Sequence, residues 1–123
     1  MDYQQFKQNM KLKLPVGMVI ENPGGGTSTI MRYSETNVTY KRANSAITVS
    51  LEALYNAYMK FKGMRVSSKD LRNYAPHTFD SKHSGHSCNC TFLFSILKLL
   101  GVIDTILGEG KAHHPFYVVI PIS

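Results

Sequence analysis

The sequence has few cysteines and no long apolar segment, and each shortage excludes a class of protein. Only Cys88 and Cys90 are present among its 123 residues, and they lie too close together to staple a fold through a disulfide. No apolar run approaches the roughly 20 residues that span a membrane. Residues 1–5 also lack the cationic and then apolar order of a signal peptide. We therefore expect reduced thiols and a cytoplasmic protein with no membrane partner.

Acidic residues are also scarce. Eight Asp and Glu stand against fourteen Lys and Arg, which gives a formal net charge of +6. Such an excess of positive charge favours an anionic partner such as nucleic acid. The length fits one domain that can bury an ordinary core. We predict a single domain over residues 1–123, with an arm at 1–15, an antiparallel β-meander at 16–50 and a helical part at 51–123.

Alternation of apolar and polar residues predicts the meander. Strands are expected near residues 17–20, 29–33, 38–42 and 46–49, with turn-forming residues between them. Three consecutive glycines at 24–26 raise the alternative of a phosphate-binding loop. A P-loop needs a lysine and a following helix, however, and a β-prone stretch follows here. We interpret these glycines as a mobile hairpin loop.

Three helices are predicted after the meander. The first starts at the N-cap Ser50 and places apolar and aromatic residues at helical spacing to Phe61, more typical of a core than of a stacking platform. The second starts with a capping box between Ser67 and Asp70 and ends before Pro76, after which 76–85 reads as an irregular connection. The third runs from 88 to 100, with an N-cap at Ser87.

Two strands and a basic loop are predicted to close the chain. The pattern Leu97-Lys98-Leu99-Leu100-Gly101-Val102-Ile103, then Gly108-Glu109-Gly110-Lys111, then Tyr117-Val118-Val119 resembles the end of a recognition helix and its wing. Over about residues 50 to 122 the order of elements resembles the winged helix-turn-helix superfamily. The resemblance implies an α+β fold in which the meander precedes three helices and a β-hairpin wing.

The resemblance also implies which residues meet DNA. In helix-turn-helix proteins the start of the recognition helix meets base edges, and the wing with its basic neighbours meets phosphates. The base-reading candidates are His86, Ser87, Asn89 and Thr91. The phosphate-binding candidates are Lys82, His83, Lys98, Lys111, His113 and His114. Structural alternatives stay open for two of these residues: Ser87 could only cap the helix, and Asn89 could hydrogen-bond the connecting loop.

A zinc site and a nucleophilic cysteine are two alternatives to the prediction of DNA binding. A zinc site could use His83, His86, Cys88 and Cys90, but cysteines two residues apart on a helix point about 200° apart. Cys88 at a helix start near a histidine could act as a nucleophile, but no third residue orients the pair. We therefore predict no metal, no cofactor and no catalytic cysteine.

A metal-dependent nuclease is the remaining enzymatic alternative. Asp80-Ser81-Lys82 has the D-x-K spacing of such enzymes, and Asp70 could add a second carboxylate. That site is normally built on paired strands, whereas these residues lie between predicted helices. We expect no enzymatic activity.

The function predicted from the sequence is non-enzymatic binding of nucleic acid, and of duplex DNA in particular. The helix that starts near Ser87 would read bases while the basic wing holds the backbone. Such a module would act as a regulator, or as the specificity part of a DNA-processing or defence system, in the cytoplasm at the nucleoid. The alternative is a protein-interaction module whose basic face docks a partner protein, such as a phage-type inhibitor that docks on a host nucleic-acid-processing complex. Apolar residues left over on the third helix, Phe94 and Leu99, would suit it.

Overall fold

The computed structural model describes residues 1–122, so only Ser123, the last residue of the predicted domain, lies outside it. The fold is α+β, as expected, with a four-stranded antiparallel sheet, five helices and a two-stranded sheet. The elements follow the order α1 (Tyr3–Lys13), β1 (Val19–Glu21), β2 (Thr27–Tyr33), β3 (Asn37–Arg42), β4 (Ser45–Ser50), α2 (Leu51–Lys60), β5 (Arg65–Ser67), α3 (Ser68–Tyr74), α4 (Pro76–Phe79), a short 3-10 helix (Ser81–His83), α5 (Cys88–Leu99) and β6 (Tyr117–Val119).

The predicted N-terminal arm is the helix α1. Asp2 caps it, because its carboxylate accepts a hydrogen bond from the backbone N–H of Gln5 at 2.8 Å while the Gln5 side chain accepts one from the Asp2 N–H at 2.8 Å. Phe6, Met10 and Leu14 are fully buried against the rest of the chain. The arm is therefore a packed element of the core.

The predicted meander is the sheet β1-β2-β3-β4, in which each strand pairs antiparallel with the next. A bulge between Ile30 and Arg32 leaves Met31 as the extra residue of β2. The alternating pattern turns Val38 and Tyr40 inward, where both are fully buried. All four strands lie where the sequence pattern predicts them, within two residues at each end.

The caps predicted for α2 and α3 are present. The Ser50 hydroxyl accepts a hydrogen bond from the Ala53 N–H at 3.1 Å. Ser67 and Asp70 form the capping box, with the Asp70 N–H donating to the Ser67 hydroxyl at 3.1 Å and the Ser67 N–H donating to the carboxylate at 2.9 Å. Helix α3 ends at Tyr74, just before Pro76, as that proline requires.

The segment between α3 and α5 is more ordered than the irregular connection predicted from the sequence. It contains α4 and the 3-10 helix, and the backbone then folds back so that the Gly85 N–H donates to Asp80 O at 2.9 Å and the His86 N–H to Thr78 O at 3.1 Å. A Cβ atom at Gly85 would lie 2.6 Å from Pro76 O. This close approach to backbone requires glycine, and it fixes the point at which the chain enters α5.

The closing hairpin pairs differently from the prediction. The prediction of a strand at Val102 and Ile103 is wrong. The Val102 N–H donates a hydrogen bond back to Leu97 O at 2.9 Å, and this contact ends helix α5. Strand β6 pairs instead with β5, so that Val118 faces Val66, and Tyr117 exchanges two hydrogen bonds of 2.9 Å with Leu107 on its other side. The loop from 108 to 114 therefore returns from Leu107 into β6.

Helix α5 is the centre of the core. Eight of its twelve residues are buried, and the ring of Phe92 stacks on Tyr40 of β3 with centroids 3.8 Å apart. Phe94 and Leu99 were the apolar residues expected to suit docking of a partner protein. Phe94 is fully buried, and Leu99 is half-buried. Among residues 1–122, no helix has the length and apolar character needed to cross a membrane.

Substitution of Gly85 tests the tight return into α5. We expect Gly85→Ala to lower the free energy of unfolding by about 1 to 3 kcal/mol, because the added methyl group meets backbone atoms that cannot move away. Gly24→Ala is the matched control, since its Cβ would meet Phe116 at an ordinary 3.5 Å, and we expect a change within about 0.5 kcal/mol. Urea unfolding monitored by circular dichroism measures both, and equal effects would contradict this account.

Candidate functional site

A groove of about 330 Å³ opens at the N-terminal end of α5, between α3 and the loop that precedes β6. We call it the basic groove. Its lining carries three cationic side chains, three hydroxyl side chains and, among the described residues, no carboxylate. The cations are Arg42, Arg72 and Lys111, and the hydroxyl groups are those of Ser68, Ser87 and Thr91. A lining of cations and hydroxyl groups is suited to an anion.

Three different elements deliver the cations. Arg42 is the last residue of β3, and its guanidinium Nη1 donates a hydrogen bond to Thr91 Oγ1 of α5 at 3.4 Å. Arg72 comes from α3 and lies beside the thiol of Cys90. Lys111 comes from the loop after Leu107. The groove therefore exists only because the sheet, α3 and the loop meet at the start of α5.

The two arginines lack compensating charge. Within residues 1–122, no carboxylate lies within salt-bridge distance of Arg42 or Arg72, and both side chains belong to half-buried residues. Like charges that share a partly desolvated groove repel each other more strongly than they would in bulk water. An anion placed between them would remove this repulsion. The guanidinium fork also suits the oxygen atoms of phosphate.

The loop from 108 to 114 is a tight, exposed turn. Lys111 and His114 exchange backbone hydrogen bonds of 3.2 and 3.0 Å, and Gly110 has a φ of +75°. Glu109 accepts a hydrogen bond from His114 Nδ1 at 2.8 Å and lies 3.5 Å from Lys111 Nζ. These two contacts, first the one from His114, lower the pKa of Glu109. The predicted site residues Lys111, His113 and His114 are all exposed, and Lys111 lines the basic groove.

The predicted residues before α5 lie on the surface. Lys82, His83, His86 and Ser87 are exposed, and of these Ser87 lines the groove. Ser87 does not cap α5 with its side chain. Its N–H donates to the Ser81 hydroxyl at 3.1 Å, and the two hydroxyl groups are 3.1 Å apart. The pair closes the return that begins at the 3-10 helix.

Asn89 has the structural role that the sequence left open, because it is only 2% exposed. Its Nδ2 donates to Thr78 O of the connecting segment at 2.9 Å, and its Oδ1 accepts from the Tyr40 hydroxyl at 2.7 Å. Burial raises the pKa of Tyr40 well above its ordinary value, so this hydroxyl keeps its proton and donates. The structure therefore does not support the base contact expected of Asn89, because a nucleic acid cannot reach a side chain inside the core.

Thr91 and Lys98 lie near opposite ends of α5. Thr91 is half-buried and faces the basic groove, where its hydroxyl also bonds Cys88 O at 3.4 Å. Lys98 is exposed at the other end of α5, ten residues and therefore about 15 Å from the first turn. It lines a different groove, together with residues around β1. The structure does not bring Lys98 together with the other predicted residues.

No sequence motif predicted a functional role for Arg42 or Arg72. Arg42 stands at the end of a predicted strand and Arg72 in a short predicted helix, and each looked like an ordinary surface charge. Neither has a local signal, because their shared groove depends on contacts between segments 30 residues apart. The excess of positive charge was the one sign that unpaired arginines would be found somewhere on the surface.

The structure bears on the alternative metal sites and on one of the two thiols. In the part of the chain that the structure describes, no three His, Cys, Asp or Glu side chains gather into a set that could hold a metal ion. The Asp70 carboxylate caps α3, and the Asp80 carboxylate accepts a hydrogen bond from the Lys82 N–H at 3.0 Å. Burial raises the pKa of the Cys90 thiol to about 12, although the nearby Arg72 opposes this.

Substitution of Asn89 separates its two candidate roles. We expect Asn89→Ala to lower the free energy of unfolding by at least about 2 kcal/mol, because it leaves the Tyr40 hydroxyl and Thr78 O without their partners. Asn73→Ala, at an exposed position of α3, is the control and should have little effect. Urea unfolding measures stability. A variant with wild-type stability and abolished DNA binding would show instead that Asn89 contacts the nucleic acid.

Alkylation tests the state of the two thiols. In a Cys88→Ser variant the remaining Cys90 is 1% exposed and has a pKa near 12, so we expect iodoacetamide to leave it unmodified at mildly alkaline pH until urea unfolds the protein. In the matched Cys90→Ser variant the half-buried Cys88 should be modified in the folded state. Mass spectrometry counts the adducts. Rapid modification of Cys90 in the folded protein would contradict its placement.

Comparisons of this chain with protein-family models, with curated proteins and with solved structures found no match. The function must therefore be argued from the chemistry of the basic groove and its surroundings.

Proposed function

We propose that this chain is a non-enzymatic nucleic-acid-binding module that binds duplex DNA, with the basic groove as the centre of its contact with phosphates. The observation that carries the proposal is the convergence of Arg42, Arg72 and Lys111 on one groove. Neither arginine has a carboxylate partner among residues 1–122. A DNA backbone supplies phosphates at regular spacing, and each phosphate neutralised by a cation releases counterions.

The order of elements around the groove supports a winged-helix interpretation. Helices α2, α3 and α5 precede the loop from 108 to 114 and β6, an order that supports this interpretation although β6 pairs with β5. Two features differ from a simple helix-turn-helix. Helix α4 and the 3-10 helix replace the usual short turn of three to four residues, and the sheet β1-β2-β3-β4 covers α5.

The burial of α5 changes how such a module would dock. A recognition helix that lies along the major groove needs an exposed polar face. The first turn of α5 contains buried and half-buried residues, so contacts with DNA would come from its half-buried Thr91 and from the exposed His86 and Ser87 just before the helix. The loop with Lys111, His113 and His114 would flank them as the wing. The flanking residues Lys82 and His83 would add backbone contacts.

The alternative of a protein-docking module is less well supported. Of the two apolar residues of α5 that would suit it, Phe94 is fully buried and Leu99 is half-buried. We infer a role as a regulator, or as the specificity part of a DNA-processing or defence system, at the nucleoid in the cytoplasm.

Fluorescence anisotropy with a labelled random duplex, across a series of salt concentrations, tests the proposal. We expect affinity to fall steeply as salt rises, with each phosphate contact adding about 0.9 to the slope of log K against log salt. Arg72→Ala and Lys111→Ala should each weaken binding and reduce that slope by about one. Affinity that is absent, or unchanged by salt, would contradict the proposal.

Two matched variants control for net charge alone. Arg32→Ala removes one positive charge from the exposed side of β2, and Lys98→Ala removes one from the far end of α5. Both positions lie outside the lining of the basic groove. We expect each control to keep a salt slope close to that of the wild type. If Lys98→Ala weakened binding as much as Lys111→Ala, the contact surface would have to extend along α5.

A further inference from the structure

We infer that the basic groove holds one nucleotide that has left the base stack of the DNA, with its phosphate between Arg42, Arg72 and Lys111 and its base against Phe116. The inference rests on the proposed function and names the form of DNA that this site would recognise. Four features of the groove support it: its size, the depth of its polar groups, its aromatic wall and the packing that holds this wall.

The size of the groove suits a single nucleotide. Its volume of about 330 Å³ lies at the lower end of the range of sites that enclose small organic ligands. A surface that only followed a duplex backbone would need cations on a ridge or a shallow face, and would not need a recess. The recess is therefore larger than a phosphate group requires and much smaller than a duplex.

The depth of the polar groups points in the same direction. Cys90 is 1% exposed and Thr91 is half-buried, yet both line the groove. Bases inside an intact duplex are not expected to reach them, because α5 is buried from Phe92 to Leu97 and offers no exposed face along the major groove. A base that has swung out of the stack can enter such a recess. Proteins that act on or read individual bases gain access in this way.

Phe116 gives the recess an aromatic wall. Phe116 is a half-buried residue of the groove lining, which also contains the hydroxyl-bearing residues Ser68 and Thr91. An aromatic ring stacks on any base, and hydroxyl groups both donate and accept hydrogen bonds at a base edge. A phosphate alone would have no use for the ring. Cations, hydroxyl groups and an aromatic ring together match the three parts of a nucleotide.

Two glycines hold this ring in place. A Cβ at Gly110 would lie 2.5 Å from Phe116 Cε2, and one at Gly24 would lie 3.5 Å from the same atom. The ring thus packs between the glycine-rich loop after β1 and the loop that carries Lys111. A ring fixed in this way is positioned before the ligand arrives, which reduces the entropy lost on binding. This contact gives Gly24 a role other than that of a phosphate-binding loop.

The experiment compares three labelled DNAs in an anisotropy assay at one salt concentration: a matched duplex, the same duplex with one unpaired bulged nucleotide, and the bulged strand alone. We expect the bulged duplex to bind at least about tenfold more tightly than the matched duplex, because its nucleotide is already unstacked. Phe116→Leu should lower affinity for the bulged duplex by more than it lowers affinity for the matched duplex, so that this preference is lost. Tyr74→Leu, at an exposed aromatic residue of α3, is the control and should keep the preference.

A second variant covers the case in which Phe116→Leu fails to fold. Thr91→Val keeps the shape of the side chain but removes the hydroxyl group from the groove, and we expect it to lower the preference several-fold.

Each other outcome overturns the inference. Equal affinity for matched and bulged duplexes, with the salt dependence intact, would leave the proposed function standing and remove the nucleotide pocket. Tighter binding of the single strand than of the bulged duplex would replace extrusion by recognition of an unpaired strand. Absence of binding to any DNA would remove both the inference and the proposed function. Displacement of an environment-sensitive dye by free deoxynucleoside monophosphates, without DNA binding, would assign the groove to a small molecule.

Discussion

The buried contact between Tyr40 and α5 is the interaction on which the rest of the structure depends. The Tyr40 ring stacks on Phe92 with centroids 3.8 Å apart, and its hydroxyl donates to Asn89 Oδ1 at 2.7 Å. A stacked pair and a hydrogen bond that has no access to water orient the sheet on the helix in one way. Arg42 lies two residues after Tyr40 on the same face of β3, so the same contact carries its guanidinium to Thr91 at the mouth of the groove.

The connecting segment completes this arrangement from the other side. Thr78 accepts the second hydrogen bond of Asn89, and the tight return at Gly85 brings Ser87 against Ser81. The first turn of α5 is therefore held by the sheet and by the segment that precedes it. The accessible part of α5 at this end is a short polar segment, with Arg42, Arg72 and Lys111 around it. Under the proposed function, such a molecule would present a recess to DNA where a helix-turn-helix protein presents a helix.

Charge and shape make separate contributions to the proposed function. The net charge of +6 favours any polyanion and would act at long range. The groove adds selectivity, because its two arginines are half-buried and find no carboxylate within the described chain. The loop from 108 to 114 differs from them, since Glu109 offsets part of the charge of Lys111 and His114. The positive charge without a nearby carboxylate thus lies inside the groove, at the two arginines, and not at the tip of the loop.

The sequence by itself determined the features whose causes are local. Alternation predicted the four strands of the sheet, and the Ser67 and Asp70 capping box predicted the start of α3, because each depends on residues within a few positions of one another. The helix at residues 3–13 also carries a local signal, the capping box of Asp2 and Gln5, although residues 1–15 were predicted to be an arm.

Only the tertiary structure decided the partner of β6 and the place of Asn89. Strand β6 pairs with β5 about 50 residues earlier, and Asn89 bonds Tyr40, which precedes it by 49 residues. The basic groove belongs to the same class, because Arg42, Arg72 and Lys111 come from three separate elements. Contacts at such separations leave no pattern in neighbouring residues. They follow from which apolar faces pack together, and packing brought these cations to one recess at the start of α5.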